Sequence, residues 1–176
     1  MLKTKIAVFV SGGGTNFEAL INAQENGKIP HGEIVLMVSS SKTAYALKRA
    51  ENHGIKSVVC SKKELGSQES FEEEILKSLE ENDIQLIVLA GFMSILSKEF
   101  TKKYENRIIN IHPSLIPSFC GEGFYGLHVH EAALKKGVKV TGATVHIVNE
   151  IPDGGPIIMQ RAVYVEENDT PEILQK

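Results

Sequence analysis

Lys5-Ile6-Ala7-Val8-Phe9-Val10-Ser11-Gly12-Gly13-Gly14-Thr15-Asn16 joins a continuous apolar run to a glycine-rich turn and the first residues of a helical pattern. Apolar side chains at successive rather than alternate positions predict a strand buried on both faces, as in a parallel sheet covered by helices. The helix predicted over 16–26 carries Phe17, Leu20 and Ile21 on one stripe and stops at Gly27. Working outward, the alternation repeats. Strands are predicted at 33–38, 57–60, 84–90 and 107–111, with helices at 43–53 and 69–81 among them. The second of these helices turns Phe71, Ile75, Leu76 and Leu79 inward, and the strand at 84–90, the most apolar, is expected at the centre of the sheet. Two later strands, 140–148 and 157–165, have only a turn between them and are expected to pair antiparallel at one side. The fold class is therefore α/β: a mostly parallel twisted sheet with helices on both faces and an antiparallel strand pair near the C-terminus.

Bulk properties narrow the function. With 176 residues, 42% hydrophobic and 23% charged, the chain fits a single domain. A net charge of −3, with lysines scattered among glutamates, argues against nucleic acid as the main partner. No apolar run approaches the roughly 20 residues that span a bilayer. Met1-Leu2-Lys3-Thr4 runs directly into a strand, and Cys60 and Cys120 are too few for a disulfide framework, so a cytoplasmic protein without membrane contact is expected. Thr170-Pro171 opens a helix that the chain leaves after about one turn. One domain over 1–176, lacking its C-terminal helix, is the expectation.

The chemistry-bearing residues cluster in two segments. Asn110-Ile111-His112-Pro113-Ser114 closes a predicted strand and opens a loop that runs to Leu127, and Pro152-Asp153-Gly154-Gly155 forms a later turn. An asparagine is an uncharged donor for a developing oxyanion. A histidine moves a proton when a neighbour such as Asp153 sets its charge state. The combination points to acyl-type transfer without a serine or cysteine nucleophile. A loop histidine bonded to backbone, beside an aspartate chosen for its turn preference, is the plain alternative. In Ser11 to Asn16, glycines and a helix N-terminus suit an anion. The P-loop lysine is missing and Phe17 breaks G-x-G-x-x-G, which favours a sugar monophosphate over a dinucleotide, with an empty tight turn as the alternative. Gly91-Phe92-Met93-Ser94-Ile95-Leu96 follows the central strand at its carboxyl end, where it either walls a flat aromatic ligand or caps the core. His128 and His130, with His112 and His146 elsewhere, raise a metal site, but no cysteine pair or H-E-x-x-H spacing supports one, and no metal is expected. His146 reads as a packed, hydrogen-bonded histidine, and Cys120 as a small loop residue rather than a nucleophile.

Together, Ser11-Gly-Gly-Gly-Thr-Asn16, Leu89-Ala-Gly-Phe-Met93, Asn110-Ile-His-Pro-Ser-Leu-Ile-Pro117, His130-Glu-Ala-Ala-Leu134, Gly142-Ala-Thr-Val-His146 and Asp153-Gly-Gly-Pro156 resemble the glycinamide ribonucleotide formyltransferases of purine biosynthesis. The resemblance covers essentially the whole chain. It implies a Rossmann-like formyltransferase fold and direct attack of the ribonucleotide amine on the formyl carbon of 10-formyltetrahydrofolate, a co-substrate held without a metal. By the same resemblance, Asn110 and His112 stabilise the tetrahedral oxyanion, while Asp153 keeps His112 charged and helps carry the amine proton. Gly13, Gly14, Thr15 and Asn16 hold the substrate phosphate and ribose. Met93, Ser94, Ile95 and Leu96, largely through backbone atoms, hold the pterin-like ring, with Asn110 and Gln68 also on the folate side. The family usually has arginine at Ser94 and commonly at Gln68, has a shorter segment than Cys120 to Leu127, and continues past 176 with a helix that adds a carboxylate. The implied partners are the two small molecules, with a homodimer possible. A formyltetrahydrofolate hydrolase is the first rival. The glycine-rich phosphate turn favours the ribonucleotide over it, and four residues before the first strand leave no room for the regulatory domain such hydrolases carry. A methionyl-tRNA formyltransferase would need a basic extension. A non-catalytic folate or nucleotide binding module would need no proton relay.

Overall fold

Residues 2–176 are described by the structure, a computed structural model. Its elements are β1 (Thr4–Val10), α1 (Thr15–Glu25), β2 (Gly32–Ser39), α2 (Ala46–Asn52), β3 (Lys56–Val59), α3 (Lys62–Leu65), α4 (Gln68–Glu81), β4 (Leu86–Leu89), α5 (Lys98–Lys103), β5 (Ile108–His112), α6 (Leu127–Lys136), β6 (Val140–Ile147), β7 (Ile157–Tyr164) and α7 (Pro171–Leu174). The strands form one sheet in the order β3-β2-β1-β4-β5-β6-β7, which puts β4 in the middle and β7 at an edge. The chain divides into two compact units, one up to Ile108 and one over Ile109–Lys176.

In the first unit, β1 pairs in parallel with β2 and β4, and β2 in parallel with β3. Successive side chains of a strand face opposite ways, and β1 uses both sides. Val8 and Val10 pack with Phe17 and Ile21 of α1 and Ala46 and Ala50 of α2. Phe9 faces the other way, with Phe92 at 5.1 Å and Phe100 of α5 at 6.5 Å, while Phe92 stacks on Phe71 of α4. Burying each such aromatic contributes roughly 2–3 kcal/mol relative to leaving it in water, so this layer holds α4 and α5 against one face as α1 and α2 hold the other.

In the second unit, β5 pairs antiparallel with β6, and β6 antiparallel with β7, with a register shift between Val145 and His146. The antiparallel pair expected from the short turn is thus β6–β7, and all eight residues of β7 are exposed. Among the described residues, no helix is long and apolar enough to cross a membrane.

One helix is shorter than the sequence suggests. The pattern over 43–53 becomes α2 only from Ala46, because serines recruit the preceding backbone: Ser39 Oγ donates to the Ser41 carbonyl at 2.7 Å and Ser41 Oγ accepts from Thr43 N–H at 3.3 Å. Short hydroxyl side chains offer the main chain an alternative to helix in this way. Helices α3, α5 and α6 have no counterpart in the sequence prediction. Of these, α5 is opened by Ser97, whose Oγ accepts from Phe100 N–H at 3.1 Å.

Candidate active site

Strand register assembles the polar centre of the second unit. Asn110 and His112 lie two apart on β5 and share a face, and across the ladder Asn110 stands opposite His146 of β6. Asp153 reaches the same point from the β6–β7 connection. There the chain turns so tightly that Gly154 N–H donates to the Ile151 carbonyl at 2.9 Å, and Asp153 itself has φ of 54°. Gly155 permits the approach, since a Cβ on it would run into the Ile147 carbonyl oxygen.

Asp153 is the hub. Its Oδ2 accepts from Gly121 N–H at 2.9 Å and lies 3.5 Å from His112 Nδ1. Its Oδ1 lies 3.5 Å from both Asn110 Nδ2 and His146 Nε2. Asn110 Nδ2 is also 3.2 Å from His146 Nε2. The imidazoles are oriented from behind: His112 Nε2 donates to the Phe119 carbonyl at 2.8 Å, and His146 Nδ1 donates to its neighbour's carbonyl at Ile147, 2.9 Å away. The side chains of His112, His146 and Asp153 are 5%, 2% and 13% exposed, so electrostatic interactions among them are weakly screened.

Burial, the largest influence on Asp153, would raise its pKa. The His146 bond, the Gly121 amide and the nearby imidazoles outweigh it and hold the carboxyl below its usual range. His146 shows the mirror image: burial would lower its pKa, but the bonds to Asp153 and to the Ile147 carbonyl raise it. The result is an anionic carboxylate facing two imidazoles and an amide, an arrangement able to donate hydrogen bonds to an oxyanion and to shuttle a proton. Cys120 does not join it as a nucleophile. Its Sγ donates to the Pro117 carbonyl at 3.4 Å, and burial followed by the charge of Asp153 raises its pKa, away from the reactive thiolate.

His128 and His130 make no hydrogen bond to this hub. His128 is exposed and pairs with Glu131 at 3.0 Å. His130, on α6, is buried with neither ring nitrogen bonded to protein, and burial together with the charge of His112 lowers its pKa. Among the described residues, no group of three His, Cys, Asp or Glu side chains is arranged to hold a metal ion.

The first unit carries the other predicted segments. Gly14 stands at the head of α1 with φ of 71°, and a Cβ there would come within 2.8 Å of Ala46 Cβ, so glycine is required twice over. Gly13, Thr15 and Asn16 are exposed around it, and α1 has no side-chain cap. Behind the turn, Arg49 Nε donates to the Gly13 carbonyl at 2.9 Å while its guanidinium pairs with Glu18 at 3.0 Å. The turn also supports the 91–96 segment, since Ser11 N–H donates to the Gly91 carbonyl at 3.0 Å and Ser11 Oγ accepts from Met93 N–H at 2.8 Å. In that segment Met93 and Ile95 are exposed, Ser94 is half-buried, and Leu96 is in the core, leaving only its backbone for a ligand. Gln68 Nε2 donates to the Ile95 carbonyl at 3.1 Å and to Glu72 at 2.6 Å.

The structure thus brings Asn110, His112 and Asp153 together, adds His146, and ties residues 11–16 and Gln68 to the 91–96 segment. Sequence reasoning placed neither His146 beside Asp153 nor Arg49 against the Gly13 carbonyl. No local spacing signals either contact.

The model of the family described as formyl transferase matches residues 4–176. The chain belongs to the formyl transferase family. As a member, it is 41% identical to the phosphoribosylglycinamide formyltransferase of Bacillus halodurans, whose crystal structure superposes with a TM-score of 0.90, covering 98% of this chain and 86% of that one. It is 47% identical over 174 residues to the trifunctional purine biosynthetic protein adenosine-3 of Gallus gallus, spanning 99% of this chain and only 17% of that protein. A formyltetrahydrofolate deformylase from Pseudomonas syringae shares the formyl transferase fold with a TM-score of 0.86, at 26% identity and 55% coverage of its length.

Proposed function

We propose that residues 1–176 act as one formyltransferase domain that moves the formyl group of 10-formyltetrahydrofolate to the amine of glycinamide ribonucleotide. The observation that carries this reading is the Asp153 carboxylate, shared by Asn110, His112 and His146 with no nucleophile among them. The ribonucleotide amine attacks the formyl carbon directly, forming one C–N bond and a tetrahedral oxyanion. Asn110 Nδ2 and the His112 imidazole donate hydrogen bonds to that oxygen, His112 Nε2 exchanging the Phe119 carbonyl for it. As the bond to the folate N10 breaks, the amine proton passes by way of His112, Asp153 or a bridging water to the departing nitrogen. Gly13, Gly14, Thr15 and Asn16 take the phosphate and ribose. Met93, Ser94, Ile95 and the Leu96 backbone take the pterin-like ring, and Asn110 and Gln68 complete the folate side. Sequence identity of 41% to a phosphoribosylglycinamide formyltransferase, against 26% to the deformylase of the same fold, supports this choice of substrates.

The test is tetrahydrofolate production from 10-formyltetrahydrofolate with and without glycinamide ribonucleotide. Product only when the ribonucleotide is present is expected. Product without it would replace the reading with hydrolysis, and folate binding without product would replace it with a binding module. Asn110→Ala and His112→Ala are each expected to lower kcat by about 10²–10⁴-fold.

A further inference from the structure

Glu72 lies one turn into α4, is only 7% exposed, and plays no part in the chemistry above. Its carboxylate is fully engaged by three hydrogen bonds. Oε1 accepts from Ser97 N–H and from Gln68 Nε2, both at 2.6 Å, and Oε2 accepts from Ser97 Oγ at 2.5 Å. Donors this close to a carboxyl group make short hydrogen bonds. Two of them clamp Ser97, the residue that follows the 93–96 segment. The third orients Gln68 so that the same Nε2 donates onward to the Ile95 carbonyl at 3.1 Å. The other end of the segment is held by Ser11 through Met93 N–H at 2.8 Å. The segment is therefore fixed at Met93, Ile95 and Ser97 while the Met93 and Ile95 side chains stay 54% and 74% exposed. A backbone held this firmly with its apolar side chains in solvent is a template for a ligand, because a covering loop would bury those side chains.

We infer that Glu72 is a positioning residue for the folate-binding edge: through Ser97 and Gln68 it sets the carbonyl and amide directions of residues 93–96. This deepens the function proposed above and rests on its assignment of that segment to the pterin-like ring. It also gives Gln68 a supporting task on the folate side, because its Nε2 is spent on Glu72 and on the Ile95 carbonyl. Glu72→Ala removes all three anchors. Glu72→Gln keeps Oε1 as acceptor for Ser97 N–H and Gln68, and turns an amide toward Ser97 Oγ, which can accept from it.

The experiment uses the full chain and measures KM for 10-formyltetrahydrofolate, KM for glycinamide ribonucleotide, kcat and Tm for the wild type and both variants. The expected result is a rise of about tenfold or more in the donor KM for Glu72→Ala, a smaller rise for Glu72→Gln, and a ribonucleotide KM within twofold of wild type. A fall in Tm with unchanged constants, or an equal change in both KM values, would overturn the inference and leave Glu72 a packing residue. Should Glu72→Ala fail to fold, Glu72→Gln decides by the same split. If the reading of function itself is wrong, the wild-type chain already shows it by giving no ribonucleotide-dependent product. Fluorescence titration with tetrahydrofolate then still tests Glu72: equal affinity in wild type and Glu72→Ala would overturn its role.

Discussion

Asp153 and His146 titrate in opposite senses, and the signs make a prediction at the scale of single residues. The folded-state pKa of Asp153 is depressed, so its contribution to stability is present above the ordinary carboxylate range and is lost as pH falls through the folded value. The folded-state pKa of His146 is raised, so its contribution is full below the ordinary histidine range and is lost as pH rises through the folded value. Their mutual stabilisation is greatest between those limits. Asp153→Asn fits the same volume and should fold, but removes the charge. The Tm difference between wild type and Asp153→Asn should therefore peak at mildly acidic pH and narrow both toward strong acid and toward alkaline pH. Melting curves across pH check this, and a flat difference would mean that the carboxylate acts only by its hydrogen bonds. The involvement of His146 is also where residue-level reading of the sequence stops. An alternating strand correctly suggests that this side chain is buried and hydrogen-bonded, but only the pairing of Asn110 with His146 reveals its partners.

Among elements, the connection from β6 to β7 sets the geometry of the centre, and Gly155 sets the connection. Gly155→Ala would press a methyl against the Ile147 carbonyl and move Asp153 with it. It should cost about 2–4 kcal/mol in urea unfolding and lower kcat. Gly12→Ala, at a position where a Cβ meets nothing within 4 Å, should leave stability nearly unchanged. Element order was largely legible in the sequence, because strands covered on both sides read as unbroken apolar runs: β1 is buried at successive positions, and β4 alternates between buried and partly buried ones. The start of α2 was not, because serine side chains at 39 and 41 take the backbone that a helix would use. Nor was the buried Glu72, which in the sequence is one more acidic residue of a strongly charged helix. What distinguishes it is that the side chain of Ser97, 25 positions away, comes back to meet it.

For the molecule as a whole, the sheet has a steep gradient of burial. Ala7, Val8 and Phe9 of β1 are wholly buried, while β7 is exposed along its entire length. Amide exchange should follow that gradient, with β1 protons slower than those of β7 by roughly hundredfold or more, as expected where opening a central strand needs near-global unfolding and an edge strand opens locally. Exchange measured by mass spectrometry or NMR checks it, and equal protection would show that the β6–β7 pair opens only with the rest.

The left-handed backbone at Asp153 has one more consequence. Few residue types tolerate a φ of 54°, glycine best, with asparagine and aspartate next. Of these three only aspartate carries a charge. A library at position 153 screened only for folding should return all three, while one screened for turnover should return aspartate alone. Comparing the two sets of survivors separates what the backbone demands of this single codon from what the chemistry demands.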